Sequence, residues 1–376
     1  MQFRDLGAQY RVLQPEIDEA VLNVLASGQF IGGAPVRELE EELAEYVGVR
    51  HCITCANGTD ALQLALMAWG VGPGDAVFVP DFTFFSSGEV VSAIGGTPVF
   101  VDVDERSFNL DVIKLEEAIS AIKAEGKYAP KAVVAVDLFG LPADYPSIRS
   151  ICAKHDLLLL EDGAQGFGGS IEAKMACSFG DISTTSFFPA KPLGCYGDGG
   201  AVFTDDDGWA ELIRSYAVHG KGLMKYDNVR IGMNSRLDTI QAAVLQIKLK
   251  AFRNYELDAV NRVADWYDAN LIGLPLVLPK RYEGFVSSWA QYTVQVPQDM
   301  DRMALQDSLR KASIPSMVYY PKPMHEQLAF NGACVDCGCD VAERLCTTVL
   351  SLPMGPYVSE EDVHSVARAI ANAVAV

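Results

Sequence analysis

Lys191 is the residue of this chain whose surroundings best suit covalent chemistry. It follows the aromatic pair Phe187-Phe188 and precedes Pro192-Leu193-Gly194, a context unlike a solvated charged surface. Burial lowers the pKa of a lysine and leaves a neutral amine that can attack an aldehyde. A surface lysine whose head group reaches water is the alternative for this segment taken alone.

Two further segments carry polar groups that can bind a ligand. Gly58-Thr59 precedes a helix-like run, and such a turn offers free backbone N–H groups and a hydroxyl to an anion. Asp162 follows the apolar run 157–160, where a carboxylate can bind a metal, a ribose or a protonated ring nitrogen. Each segment has a simpler explanation as an ordinary helix cap, so neither one decides a function alone.

The three segments together indicate one cofactor. Pyridoxal phosphate needs an anchor for its phosphate, an acidic partner for its pyridine nitrogen and an amine for its aldehyde. The Gly58-Thr59 turn, Asp162 and Lys191 supply these three groups. We therefore predict pyridoxal 5'-phosphate as cofactor, with Lys191 and Asp162 as catalytic residues and no metal ion.

These residues have to be positioned by a sheet. Short apolar runs at residues 76–79, 98–101, 132–136, 157–160 and 201–203 alternate with helix-like segments. Continuous Val/Leu runs of this length are typical of strands buried on both faces, which predicts an α/β fold with a mostly parallel central sheet flanked by helices. Ligands of such sheets bind at the carboxyl ends of the strands.

The pattern of predicted helices and strands changes in the second half of the chain. An amphipathic stretch over 238–270 predicts a long helix, and short strands are predicted at 292–296 and 316–320. We expect a large α/β domain over 1–250, with an N-terminal helical segment, and a smaller C-terminal α+β domain over 251–376.

Composition excludes several classes of partner. The formal net charge of −19 argues against nucleic acid and anionic membranes, which bind basic surfaces. No apolar stretch approaches the roughly 20 residues of a membrane span, and the first six residues do not resemble a signal peptide. We expect a cytoplasmic enzyme whose nine cysteines are mostly buried thiols.

The order of the motifs resembles the DegT/DnrJ/EryC1/StrS family of sugar aminotransferases, which have the aspartate aminotransferase fold. The resemblance runs from Gly33-x-x-Val36-x-x-Leu39-Glu40 to Tyr320-Pro321-x-Pro323-x-His325. Between these ends stand Gly58-Thr59, Phe84, Asp162-x-x-Gln165, Ser186-x-x-x-x-Lys191 and Gly232-x-Asn234-x-Arg236.

The resemblance implies a role for each matching residue around the cofactor ring. Lys191 matches the lysine that binds the aldehyde and moves a proton between cofactor and substrate. Asp162 matches the carboxylate that keeps the pyridine nitrogen protonated. Phe84 matches the aromatic residue that stacks on the ring, and Gln165 matches the residue near its phenolic oxygen.

The resemblance also implies a shared site. Gly58, Thr59 and Ser186 match the residues that bind the phosphate within one subunit. Asn234 matches an asparagine that reaches the phosphate from the other subunit. A homodimer with shared active sites is therefore expected.

For the substrate, the resemblance is to enzymes that aminate C3 of a UDP-linked 2-acetamido-3-oxo-hexuronic acid in O-antigen pathways, with glutamate as the expected donor. Arg236, Tyr320 and His325 are the predicted substrate-binding residues. Arg236 belongs to a basic stretch that also contains Arg214, Lys221, Lys225 and Arg230. A solvated loop is the alternative for this stretch, and a structural histidine in a proline-stiffened turn is the alternative for His325.

Other functions are left open by the sequence. The alternative acceptors are 4-keto-6-deoxy and 3-keto-6-deoxy nucleotide sugars. The cluster Cys334, Cys337 and Cys339 resembles part of the site in iron–sulfur sugar dehydratases of this superfamily. Those enzymes have histidine where this chain has Lys191, and their distant fourth cysteine has no counterpart here. A cofactor-binding sensor without activity and a cysteine desulfurase are the remaining alternatives.

Overall fold

The computed structural model describes residues 1–224 and 226–374. The helices of this part of the chain are α1 (Leu6–Ser27), α2 (Ala34–Val47), α3 (Gly58–Ala68), α4 (Ser86–Ala93), α5 (Val112–Glu125), α6 (Tyr145–His155), α7 (Asp207–Tyr216), α8 (Thr239–Ala251), α9 (Leu257–Leu271), α10 (Arg302–Lys311), α11 (Asp340–Thr348) and α12 (Glu360–Val374). Its strands are β1 (His51–Cys55), β2 (Asp75–Pro80), β3 (Thr97–Val101), β4 (Ala129–Val136), β5 (Leu158–Asp162), β6 (Ser170–Ile171), β7 (Lys174–Met175), β8 (Ile182–Ser186), β9 (Gly200–Thr204), β10 (Phe285–Val286), β11 (Tyr292–Gln295), β12 (Val335–Asp336) and β13 (Val349–Leu352).

The central sheet has the order β1-β9-β8-β5-β4-β2-β3-β12. Strands β12, β3, β2, β4, β5 and β8 run parallel to one another, whereas β9 pairs antiparallel with both β8 and β1. The prediction of a mostly parallel α/β sheet is confirmed. Each of the five predicted runs lies in a strand, apart from Leu157, which precedes β5. Strands β1, β8 and β12 were missed because none of them has a long aliphatic run.

Helices cover both faces of this sheet. In β2, Val77 and Val79 pack into the hydrophobic core on one face, and Ala76 and Phe78 pack into the core on the other. All four side chains are fully buried. Such alternation between two cores explains why the buried strands are continuously apolar instead of alternating with polar residues.

The C-terminal part contains a third core around α9, α10, α12 and the antiparallel pair β11/β13. The amphipathic stretch forms α8 and α9, joined by a π-helical turn at Phe252–Glu256. The strand predicted over 316–320 is wrong, since that segment makes only an isolated bridge between Met317 and Ser351. The division near residue 250 falls within this continuous helical stretch and stays a prediction.

A C-terminal segment completes the edge of the central sheet. Strand β12 pairs with β3, and the following helix α11 packs Leu345 and Cys346 into the main core. Helix α11 has no cap from its own preceding side chain. Its first N–H groups are bound instead by buried Asp102, which follows β3 and accepts hydrogen bonds from Val341 (3.0 Å) and Ala342 (2.9 Å). No helix within the described residues is both long and apolar enough to cross a membrane.

This contact makes a stability prediction. Asp102→Ala should lower the free energy of unfolding by about 1–2 kcal/mol, because it removes a helix cap and leaves buried N–H groups unpaired. Urea-induced unfolding measures the change. Asp340→Ala is the matched control: it removes an exposed acid from the first turn of the same helix and should cost only about a few tenths of a kcal/mol. Equal effects of the two substitutions would show that Asp102 does not fasten α11 to the sheet.

Candidate active site

A cleft of about 700 Å³ opens at the carboxyl ends of the parallel strands. It lies between the turn after β1, the segment after β2, the end of β5 and the loop after β8. Eight of the eleven predicted site residues line it: Gly58, Thr59, Phe84, Asp162, Gln165, Ser186, Lys191 and Tyr320. Asn234, Arg236 and His325 lie outside its lining.

One end of the cleft is built to hold an anion. Asn57 caps α3 through its side chain, and the N–H groups at the start of that helix have no acceptor within it. Gly58 approaches the end of β8 so closely that a Cβ atom would lie 2.7 Å from the Cβ of Ser186. The Thr59 hydroxyl lies 2.7 Å from that of Ser86. Backbone N–H groups and hydroxyls thus meet at a helix N-terminus, which suits a phosphate.

Lys191 is held by a tight loop. Its N–H donates to the Phe188 carbonyl (2.8 Å), and a Cβ atom on Gly194 would lie 2.5 Å from the same carbonyl oxygen. The glycine is therefore required for the loop to turn. Burial lowers the pKa of the Lys191 ammonium, although the negative charge of Asp162 opposes this effect. The neutral amine is correspondingly more abundant at neutral pH than for an exposed lysine.

Asp162 ends β5 and is 5% exposed. One carboxylate oxygen accepts a hydrogen bond from the Ser87 hydroxyl (2.8 Å), and the other accepts one from the Ala164 N–H (3.2 Å). Burial raises the pKa of this carboxyl group, while the Ser87 hydroxyl and the charge of Lys191 lower it. The group can therefore stay ionised through specific partners and pair with a protonated ring nitrogen.

Aromatic residues and an amide form the wall of the cleft. The Phe84 side chain is 53% exposed, and its ring centroid lies 6.2 Å from that of Tyr320. The Gln165 amide oxygen accepts from the Phe139 N–H (2.8 Å), and its amide nitrogen donates to the Tyr320 hydroxyl (3.2 Å). One amide proton of Gln165 is left to donate to a ligand oxygen.

These observations fit pyridoxal phosphate. Because Gly58 has no Cβ atom, the start of α3 lies directly beside Ser186, which brings N–H groups and a hydroxyl together for a phosphate, and an amine with a lowered pKa suits the aldehyde. The buried carboxylate of Asp162 suits a pyridinium nitrogen. The exposed face of Phe84 is open for a flat ring.

Asn234 and Arg236 lie on the outer surface. Residues 234–239 alternate between outward and inward positions, so Ser235 and Leu237 are buried while Asn234 and Arg236 are exposed. The buried Ser235 hydroxyl accepts from the Ala56 N–H (3.0 Å) and ties this segment to the turn before α3. Asn234 and Arg236 thus point away from the cleft of their own chain.

The rest of the predicted basic stretch does not act as one surface. Arg214 forms an ion pair with Glu40 (2.9 Å) and donates to the Cys52 carbonyl. Arg230 donates to the Ser215 hydroxyl, and Lys221 is exposed. Lys225 lies outside the described residues. Arg236 is exposed, and its predicted contact with the substrate stays a prediction.

His325 is held by Asp81. Its backbone N–H (2.8 Å) and its ring Nδ1 (2.7 Å) both contact the carboxylate of this buried aspartate. The thiol of Cys339 lies near the pair and donates to the Phe100 carbonyl (3.7 Å). These contacts account for His325 as a structural residue, and its predicted role in substrate binding stays a prediction.

Several cleft residues were missed at the level of sequence. They are Ser86 and Glu89 near the start of α4, the adjacent Ser87, which binds Asp162 without lining the cleft, Asp198 before β9, and Gln291 before β11. The signal for the first three was available, because α4 follows directly after β2 and its first turn must lie at the same edge of the sheet as Asp162. Gln291 comes from a distant segment whose placement no local pattern reveals.

Comparisons with known proteins identify the family of this chain. A model of the DegT/DnrJ/EryC1/StrS aminotransferase family matches residues 12–371. The chain is 42% identical over 372 residues to the UDP-2-acetamido-2-deoxy-3-oxo-D-glucuronate aminotransferase of Pseudomonas aeruginosa, with 99% of this chain and 100% of that protein covered. It is 41% identical over 366 residues to the UDP-N-acetyl-3-dehydro-alpha-D-glucosamine 3-aminotransferase of Acidithiobacillus ferrooxidans, with 97% and 96% covered.

A crystal structure of a DegT DnrJ EryC1 StrS aminotransferase from Brucella abortus superimposes with a TM-score of 0.97 at 48% identity, and 100% of both chains is covered. The predicted fold, enzyme class and cofactor are confirmed. The chain belongs to the DegT/DnrJ/EryC1/StrS aminotransferase family and is an aminotransferase that uses pyridoxal 5'-phosphate.

Proposed function

We propose that this enzyme transfers an amino group from glutamate to C3 of a UDP-linked 2-acetamido-3-oxo-hexuronic acid, for surface polysaccharide synthesis, and that it works as a homodimer with shared sites. Two relatives that are more than 40% identical support the acceptor, since both are named for UDP-linked 3-keto sugars. The observation that carries the proposed sharing of sites between subunits is the charge of the cleft. Among the described residues that line it, Lys191 is the only lysine or arginine.

The described part of the cleft has too few positive charges for the proposed ligands, which are anionic. The cofactor brings a phosphate and the substrate brings a diphosphate and a carboxylate, whereas the cleft is also lined by Asp60, Glu89, Asp162 and Asp198. Neutral N–H groups at the start of α3 suit one phosphate only. The remaining anionic groups need cations from elsewhere, and a second subunit that brings Arg236 supplies one.

The surface around Asn234 and Arg236 suits such a second subunit. Large apolar side chains are exposed close by in the chain, including Leu223 (97% exposed) and Ile231 (91%). Phe30 and Ile31 are also exposed, and their backbone bonds to Thr239 and Asp238 at the end of the same segment. An apolar area of this kind around polar residues marks an interface with another protein.

The proposed roles within the cleft follow from the geometry. Pyridoxal phosphate, when bound, supplies an electron sink that allows a proton to leave the carbon next to nitrogen. The amine of Lys191 takes this proton from one carbon and returns it to another, because it is partly neutral and lies at the cleft wall. Asp162 holds the proton on the ring nitrogen, and Phe84 covers the ring. Tyr320 and Gln165 hold the polar wall in place.

Mixtures of purified protein with UDP-linked keto sugars and glutamate test the proposal, with product masses read by mass spectrometry. The 3-oxo-hexuronate should be aminated at C3 in preference to its neutral analogue and to 4-keto-6-deoxy sugars. A clear preference for a 4-keto-6-deoxy acceptor would overturn the proposed substrate and leave the enzyme class intact.

The first prediction from these roles concerns Lys191. Lys191→Ala should abolish turnover and the visible absorption band of the bound cofactor, because no other lysine or arginine lines the described part of the cleft. Absorption spectra and product formation from glutamate measure both effects. Lys248→Ala would be a poor control because that lysine is buried, so the exposed Lys221→Ala serves instead for the absorption band. A Lys191→Ala enzyme that still transaminates would refute the assignment.

The second prediction concerns sharing between subunits. Co-expression of Lys191→Ala and Arg236→Ala chains with different tags gives heterodimers in which one site has both Lys191 and the partner's Arg236. Such heterodimers should recover about half the activity of the unmutated dimer, since one of the two sites of a symmetric dimer is intact. Activity no higher than that of the parents would place Arg236 in the site of its own chain.

The third prediction concerns the carboxylate of the sugar. Arg236→Lys keeps the charge but loses two parallel hydrogen bonds, so it should raise KM for the uronic acid about tenfold or more. KM for the neutral UDP-linked 3-oxo sugar should change little. Steady-state kinetics with both acceptors gives the ratio. An equal change for the two acceptors would mean that Arg236 does not bind the carboxylate.

A further inference from the structure

The buried hydroxyls of Ser87 and Thr83 are connected to Asp162 by hydrogen bonds. The Ser87 hydroxyl donates to one oxygen of the Asp162 carboxylate at 2.8 Å, and it lies 3.1 Å from the Thr83 hydroxyl. Ser87 is 1% exposed, Thr83 is 4% exposed and Asp162 is 5% exposed. The three groups therefore form a series of hydrogen bonds between buried side chains, and its two end members, Thr83 and Asp162, also line the cleft.

The direction of these hydrogen bonds follows from which groups can donate a proton and which can only accept one. An ionised carboxylate only accepts hydrogen bonds, so the Ser87 proton must point to Asp162. The lone pairs of Ser87 are then free to accept the proton of Thr83. Hydrogen bonds in such a series strengthen one another, so the outer hydroxyl makes Ser87 a better donor to the charge.

The position of Ser87 explains what the contact does. Ala164 holds the other oxygen of Asp162 by its N–H at a longer distance, 3.2 Å. These two bonds come from different segments, one from α4 and one from the turn after β5, and they bind different oxygens, so together they restrict the rotation of the carboxylate about its χ angles. A carboxylate that is fixed in this way is already oriented before a ring nitrogen arrives.

We propose that Ser87, supported by Thr83, is a positioning residue that sets the orientation of the Asp162 carboxylate toward the pyridine nitrogen of the cofactor. This inference rests on the proposed role of Asp162. The same short segment carries Phe84, whose ring lies at the cleft wall. The start of α4 thus places the group that covers the ring and the group that orients its acid partner within four residues of each other.

The test is Ser87→Ala, with Ser92→Ala as matched control on the exposed side of the same helix. Loss of a hydrogen bond to a charged group corresponds to roughly tenfold to hundredfold. Ser87→Ala should weaken pyridoxal phosphate binding to the apoenzyme and lower kcat within that range, with KM for the sugar little changed. Ser92→Ala should leave both quantities unchanged.

The spectroscopic readout is the ¹⁵N chemical shift of ring-labelled cofactor at neutral pH. In Ser87→Ala the shift should move toward the value of the unprotonated pyridine, because the partner carboxylate is less well held. Thr83→Val keeps the shape of the side chain and should cause a smaller change in the same direction. This second variant keeps the test valid if Ser87→Ala folds poorly, which thermal unfolding of the apoenzyme reveals.

A double-mutant cycle separates this inference from the role of Asp162. Asp162→Asn should lower kcat by roughly two to four orders of magnitude, as expected when one partner of a buried pair is removed. In that background Ser87→Ala should have little further effect, since the two residues act as one unit. Full additivity, or a Ser87→Ala enzyme with an unchanged ¹⁵N shift, would overturn the inference while leaving Asp162 in place. Normal turnover and cofactor binding in Asp162→Asn would overturn both.

Discussion

The carboxylate of Asp162 has to stay charged at a place from which water is almost excluded. An isolated carboxylate would take up a proton there, because burial disfavours the charged form. Three different segments supply what the charge needs: α4 brings the Ser87 hydroxyl, the turn after β5 brings the Ala164 N–H, and the loop after β8 brings Lys191. The cleft is the place where these segments meet.

Glu161, the residue before Asp162, is also a buried acid that needs hydrogen-bond partners, and it lies on the other face of β5. Burial raises the pKa of Glu161, and hydrogen bonds from the N–H groups of Cys177, Phe179 and Gly180 and from the Ser183 hydroxyl oppose this effect. Burial and the nearby charge of Glu161 raise the pKa of Asp137 well above its usual range. Successive acidic residues of β5 thus face opposite sides of the sheet, one structural and one toward the cleft.

The sequence predicted these features to different degrees for physical reasons. Continuous apolar runs identified β2, β3, β4, β5 and β9, because a strand that packs against a hydrophobic core on each face needs apolar side chains at successive positions. Strand β8 was missed because its residues 182–186 are mostly hydroxylic, and their side chains bond to neighbouring backbone groups that only the fold brings close. The 316–320 segment has a strand-like composition, but it meets only one residue of β13 and forms no ladder.

Gly58, Asp162 and Lys191 were predicted as site residues because the short segment around each one already indicates what it could bind. The position of Ser87 after β2 places it at the right edge of the sheet, but its particular contact with Asp162, 75 residues along the chain, is visible only in the fold. His325 shows the opposite case. Its motif was recognised, but the structure shows it bound by Asp81, a partner that the motif does not contain.

The distribution of charge joins the cleft to the proposed dimer. A chain with a net charge of −19 repels anionic ligands at long range, so phosphate and carboxylate groups must be bound by short-range contacts. Within one chain these are the N–H groups at the start of α3 and the amine of Lys191. If the partner's surface brings Arg236 into the same cleft, the site has full affinity for anions only after assembly. Substrate binding and dimer stability would then be linked, since a ligand that binds both chains favours the dimer by mass action.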